Sequence, residues 1–275
     1  MTTLTWVVND VANAHTRAEH GFACWIETAQ GSVLFDTGSS GELLLDNLSR
    51  LELDPANIDA LVISHAHDDH TGGLPALLPT LRAGTPLYAH PTLFRSRYSF
   101  RNQQYRSRGI PLDRQTLAAR LDLRLSAEPQ EVLPGVWTTG EITPRPEPEG
   151  RSAHHFIREG ERYARDPYQD DLSIVLQTGE GIWLLCGCCH AGLLNTLYHV
   201  QRTWPGPSVG IVGGTHLTNA TQETIQKTRD FIVNMPALRH VWLGHCSGDE
   251  FMQTMARALP AERYRAGQAG DRLVL

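Results

Sequence analysis

The chain has 275 residues, 41% hydrophobic and 20% charged, with a formal net charge of −6. That length supports one large α/β domain with a full core, and the negative balance argues against nonspecific nucleic-acid binding through bulk charge. No apolar run approaches the ~18 residues of a membrane-spanning helix, and the opening MTTLTWVVNDVANAH has neither the basic nor the apolar region of a signal peptide. Cys24, Cys186, Cys188, Cys189 and Cys246 are odd in number and clustered, which speaks against a disulfide framework and for a reducing, cytoplasmic setting.

In chain order, 4–10 is predicted as a strand, and 22–28 and 32–35 as two strands about the turn Ala29-Gln30-Gly31. His20, just before the second of them, reads equally as a polar loop residue or as a substrate-contacting group. Asp36-Thr37-Gly38 closes the third strand. An acid at a strand end is placed to accept a hydrogen bond from a metal-bound imidazole; the other reading is an N-cap for a helix over 42–51. The strand 60–64 then runs into His65-Ala66-His67-Asp68-Asp69-His70. Imidazole and carboxylate suit zinc and similar divalent ions. His65 and His67 can reach one ion, and Asp69 and His70 a second. Gly72-Gly73 lets the backbone turn tightly into a helix predicted over 73–81. The isolated His90, after a short strand at 86–89, is read as structural.

The segment 95–108, RSRYSFRNQQYRSR, holds five arginines interleaved with Tyr98, Phe100 and Tyr105. It reads either as a solvated mobile segment or as a lid whose Arg101 and Arg106 bind an anionic substrate through forked donors. Strands are predicted over 121–128 and 132–138. The polar stretch 147–170, with the pair His154-His155, lacks periodicity and is expected to be a long loop covering the site. Strands at 172–177 and 181–185 lead to Cys186-Gly187-Cys188-Cys189-His190. Strand, ligand-rich turn and helix (193–204) repeat the order of the first motif, so His190 is the best candidate for the third ligand of the first ion. Residues two apart in an extended turn point to one side. Cys188 is therefore expected to face the ions as a thiolate ligand, and Cys189 to face the core; the alternative is a set of inert buried cysteines. A strand at 209–212 leads to His216, which could bind metal, hold substrate or stabilise an oxyanion. A helix over 221–234 and a strand over 240–243 lead to His245, a ligand of the second ion.

The block HAHDDH is similar to the H-x-H-x-D-H signature of the metallo-β-lactamase superfamily. With EHGF, FDTG, SHAHDDHTGGL, TGEI, GCCHAGLLNT, GGTHL and GHCSG, the chain resembles one branch over nearly its whole length. That branch is labelled by 7,8-dihydropterin-6-yl-methyl-4-(β-D-ribofuranosyl)aminobenzene 5'-phosphate synthase, in keeping with the FDTG block at 35–38 and the GHCSG block at 244–248. The resemblance implies an α/β fold: an αβ/βα sandwich of two mixed β-sheets flanked by helices. It would span 1–275 as one domain, with a lid near 95–108, an insertion near 145–170 and the metal site at one edge of the sheets. The chain departs from the superfamily in lacking an HTPGH-like block and a plain GD block. The GCCHAG turn would then supply both the third histidine, His190, and, through Cys188, the group that stands where relatives carry a bridging aspartate.

The implied activity is that of a hydrolase with two divalent ions, zinc first and manganese or iron as alternatives. Such ions lower the pKa of a shared water toward ~7. Asp69 would orient the nucleophile, and His216 with an arginine of 95–108 would stabilise developing charge. The arginines and the branch label point to a phosphoester small molecule as the anionic partner, a phosphodiester or a pterin-linked phosphate. A lactone or thioester is the runner-up. An iron or redox protein and a non-catalytic metal-bound binding protein are readings from other classes. No membrane partner is expected, nucleic acid has no strong support, and a homo-oligomer is left open.

Overall fold

Alternation of side chains along each strand builds the layers, in a computed structural model that describes residues 1–148 and 150–275. Glu149, inside the polar stretch 147–170, lies outside the described residues. Val33 and Phe35 face one way and Leu34 the other; Cys24 and Ile26 oppose Trp25; Val62 opposes Leu61 and Ile63. Both faces are apolar because both are covered. One face meets the second sheet, through Ile174, Leu176, Trp183 and Leu185, and the other meets the helices Gly41–Arg50 and Leu74–Leu77. In the second sheet Ile182, Leu184 and Ile211 turn outward onto the helices Leu193–Thr203, Gln222–Val233 and Asp249–Ala258. The result is helices, sheet, sheet, helices, as the resemblance implied.

The first sheet orders Arg272–Val274, Thr3–Val8, Ala23–Thr28, Gly31–Phe35, Ala60–Val62, Thr85–Ala89 and Leu121–Leu125. The second orders Tyr264–Ala266, His240–Leu243, Ser208–Gly213, Gly181–Cys186, Ser173–Thr178, Val136–Thr138 and Gln130–Leu133. Each is mixed: the strands from Gly31–Phe35 to Leu121–Leu125, and from Gly181–Cys186 to Tyr264–Ala266, run parallel. The carboxyl ends of parallel strands are where open α/β sheets bind ligands, and here they carry Asp36, the 65–70 block, Cys188, His190, His216 and His245.

Several sequence expectations change. The helix expected over 73–81 is two short pieces, Leu74–Leu77 and a 3₁₀ turn Leu78–Thr80, because Pro79 has no N–H to continue the ladder. The strand expected over 132–138 is a hairpin, since Pro134-Gly135 forms its turn and Gly135 holds φ at 78°. The largest change joins the segments 95–108 and 147–170. Residues 155–165 of the expected loop are a hairpin, and with the arginine segment they form a third sheet ordered Arg162–Arg165, His155–Glu159, Arg97–Arg101 and Gln104–Ser107. Phe100, Tyr105, Phe156 and Tyr163 pack against one another, Tyr105 stacking on Tyr163 at 3.6 Å, while Arg97 and Ser99 are buried. Aromatic cross-strand pairs are a main source of sheet stability. No helix among the described residues is long and apolar enough to cross a membrane.

Candidate metal centre

Three histidines form the first cluster. His65 Nε2 lies 3.0 Å from His67 Nδ1, and the His190 ring centroid is 4.9 Å from that of His65. The outer nitrogen of His190 is fixed, Nδ1–H donating to the Gly150 carbonyl at 2.8 Å, and Nε2 is buried without a hydrogen-bond partner. An orphaned buried lone pair is costly unless an external group meets it. His65 is oriented the same way. Ser64 Oγ gives its proton to Asp36 Oδ2 at 2.7 Å and accepts from His65 Nδ1–H at 2.9 Å, leaving His65 Nε2 as a lone pair.

The second cluster is Asp69, His70, Cys188 and His245. His70 Nε2 lies 3.2 Å from both Cys188 Sγ and His245 Nε2, and Cys188 Sγ lies 3.3 Å from His245 Nε2. Both histidines donate Nδ1–H outward, His70 to Asp36 Oδ2 at 2.7 Å and His245 to Asp10 Oδ1 at 2.8 Å. With both Nδ1 atoms committed outward, the two Nε2 atoms face each other across 3.2 Å, an arrangement that suits a shared cation. Carboxylate–histidine pairs of this kind fix tautomer and orientation for metal binding. The donor sets, three imidazoles and a mixed O/N/S set, both suit divalent transition ions.

The electrostatics agree. Burial, with the neighbouring imidazoles or Arg97, holds His65, His67 and His190 well below the usual imidazole range, so they stay neutral donors. Burial also opposes charge on His70, but Asp36 and Asp69 outweigh it and hold it up at about 9. The field at that cluster favours a positive charge. Burial pushes the Cys188 thiol up, so the thiolate form needs a cation beside it.

The backbone around these groups is strained. Asp36, Tyr168, Cys189, His216 and His245 hold φ between 45° and 63°, a region non-glycine residues rarely occupy and which clusters at functional sites. Gly187 permits the approach of the two ligand turns: a Cβ there would sit 2.5 Å from Ser64 Oγ and 2.7 Å from Asp36 Oδ2.

The structure thus brings together His65, His67, Asp69, His70, Cys188, His190 and His245, with Asp36 behind His70. Cys189 turns the other way, into the helix-facing core. His20 stands beside them: Nδ1 meets Asp10 Oδ2 at 2.9 Å, and Nε2 lies 3.3 Å from Asp69 Oδ2. Donating to the Asp10 and Asp69 carboxylates raises it to about 10. His216 packs on His190 at 4.1 Å between ring centroids, with Nδ1 buried and unpartnered. His20, His67, Asp69, Cys188, His190, His216 and His245 line a cavity of about 350 Å³ together with Arg101, Arg108, His155 and Cys246. Arg106 is not among its lining residues. It lies on Gln104–Ser107, the edge strand of the third sheet, where every residue is exposed. Arg108 stands in the cavity wall instead, paired with Asp68 at 2.9 Å. Arg97, another arginine of the segment, is buried between Asp166 and Asp170.

Sequence reasoning missed Asp10, Tyr168 and the site placement of His155. Asp10 had a signal, since it follows the first strand as Asp36 follows the third. Asp10→Asn is expected to cut affinity for an ion at the second cluster by about 10–100-fold, the usual cost of losing such a partner. Competition with a chromogenic chelator measures it; unchanged affinity would assign Asp10 to loop structure alone.

The metallo-β-lactamase superfamily model matches residues 17–188. A 7,8-dihydropterin-6-methyl-4-(β-D-ribofuranosyl)-aminobenzene-5'-phosphate synthase of Methanocaldococcus jannaschii is 26% identical over 249 residues, 84% of this chain and 82% of that protein. The exodeoxyribonuclease WalJ of Streptococcus pneumoniae is 33% identical over 70 residues, 26% of this chain and 25% of its own. Among solved structures, a metal-dependent hydrolase of the β-lactamase superfamily superposes with a TM-score of 0.85 at 23% identity, covering 100% of this chain and 99% of its own. A diphosphatase from the PhnP family superposes at 0.54 with 15% identity, covering 100% and 98%. These two likenesses concern the fold.

Proposed function

We propose, from the premise that the chain belongs to the metallo-β-lactamase superfamily, that it is a binuclear metal-dependent hydrolase of a phosphoester small molecule. The observation that carries this reading is the juxtaposition of the two ligand clusters at one cavity whose rim bears Arg101 and Arg108. His65, His67 and His190 would hold one ion, and Asp69, His70, Cys188 and His245 the other, zinc before manganese or iron. When bound, two such ions supply Lewis-acid polarisation and a water acidified toward pKa ~7. The residues do the rest. His20 steadies the Oδ2 oxygen of Asp69, which orients the attacking water. His216 and Arg101 meet the negative charge that grows on the substrate. The relative from M. jannaschii supports a phosphate-bearing molecule, because its name contains a 5'-phosphate. That name is also a synthase's, which favours transfer to an acceptor other than water as the second reading.

About two divalent ions per chain are expected in protein isolated without chelator. Turnover is expected on phosphodiesters or phosphomonoesters before lactones or thioesters. Arg101→Gln should raise KM roughly tenfold, the scale of one charge-assisted hydrogen bond, with metal content unchanged. Elemental analysis and an ester panel decide. A folded protein without stoichiometric metal, or one that turns over lactones and no phosphoester, would end this reading. A coloured, iron-loaded protein inert on every ester would favour redox chemistry.

A further inference from the structure

Tyr168 is buried, and its ring stacks on His190 at 4.1 Å with 7° between planes. Its hydroxyl meets two groups. The Ser152 backbone N–H lies 3.2 Å away and His155 Nδ1 lies 2.9 Å away. An N–H can only donate, so the phenol oxygen accepts from Ser152; its own proton has no acceptor among the described residues other than His155 Nδ1, and giving it there satisfies every group. With Nδ1 as acceptor, the proton of a neutral imidazole must sit on Nε2. A cationic ring would carry a proton on Nε2 as well, so the conclusion is independent of charge.

His155 opposes Ser99 in the third sheet, on the strand face shared with Arg101, which lines the cavity. It lines the cavity beside His67, the ring centroids 4.6 Å apart. His155 belongs to neither ligand cluster. Nε2 has no hydrogen-bond partner among the described residues.

We propose that His155 Nε2–H is a fixed hydrogen-bond donor to an anionic oxygen of the substrate, and that Tyr168 is the positioning residue that locks this tautomer. The proposal rests on the phosphoester reading of the cavity and adds a residue to it. The opposite tautomer would present a lone pair to the anion and repel it. A donor held in advance needs no reorganisation when charge develops, the property that makes such groups effective.

Nitrogen-15 NMR of the imidazoles in the zinc-loaded and zinc-free protein tests the lock. His155 should show a protonated Nε2 and an unprotonated Nδ1, and Tyr168→Phe should give a mixture of tautomers in a folded protein. Titration with inorganic phosphate should shift Nε2 of His155 in the zinc-loaded protein. His155→Ala should lose about 10²-fold in kcat, the scale of one lost oxyanion donor, with metal content unchanged. His155→Gln, whose amide can stand in for Nε2–H, should recover most of it. A neutral ring protonated on Nδ1, a phosphate titration that leaves Nε2 unmoved, or full activity of His155→Ala would overturn the proposal. If no phosphoester is turned over, the substrate reading falls by itself, and the tautomer and phosphate titration still decide the donor.

Discussion

Cys188→Ala is expected to strip one of two bound ions while Cys188→Asp keeps both and much of the turnover. The sulfur lies within 3.3 Å of both His70 Nε2 and His245 Nε2, closer than packing alone requires. An outer partner of a ligand is already worth about 10–100-fold in affinity, so removal of a ligand should exceed ~100-fold for that ion. Aspartate restores an anionic donor of similar reach. Cys189→Ala should keep both ions, since its sulfur lies 3.3 Å from Thr196 Oγ1, inside the core. Metal stoichiometry and turnover across the three variants decide. If Cys188→Ala retained both ions and full rate, the second site would be completed without sulfur.

Arg97→Met is expected to be the most destabilising single change in the arginine segment. The guanidinium is 2% exposed and meets Asp166 at 2.9 Å and Asp170 at 2.7 Å. Removing one partner of a buried pair leaves uncompensated charge and costs about 3–5 kcal/mol. In a chain of this size that is on the order of 10 °C in Tm. The consequence reaches the metal centre, because Asp170 Oδ2 also accepts the Ala66 N–H between His65 and His67. Replacing Arg97, Asp166 and Asp170 together by apolar residues should cost far less than Arg97→Met, since no charge is then stranded.

A pH dependence follows. Burial already pushes Asp166 up to about 6, against the pull of Arg97. Its folded pKa therefore lies above its unfolded value, the folded state binds the extra proton, and stability from this group rises as pH falls through 6. Without Arg97 the folded pKa climbs further, so the deficit of Arg97→Met should shrink in acid. Urea unfolding at two pH values measures both effects. A deficit under about 1 kcal/mol, or one that grows in acid, contradicts this account.

The sequence by itself determined the candidate ligands that lie close together along the chain and the layers that hold them. His65, His67, Asp69 and His70 fall within six residues after an apolar strand, and Cys188 precedes His190 by two. Ligand type and strand alternation are local properties, so they are legible without coordinates. Asp36 was legible too, because it sits at a strand end beside a glycine turn.

Only the tertiary structure decided which distant groups support that site. Asp10 clamps His245 across 235 positions, and Tyr168 stacks on His190 and meets His155. Arg97 and Arg101 stand four apart in one arginine-rich run, yet one is an interior tether and the other lines the cavity. Charge and composition are the same for both. What separates them is the pairing of Arg97–Arg101 with His155–Glu159, which buries Arg97 and leaves Arg101 exposed. That pairing joins segments more than fifty residues apart. It gains its stability from cross-strand aromatic contacts and buried ion pairs that exist only once the chain has folded, so no local period in either segment announces it.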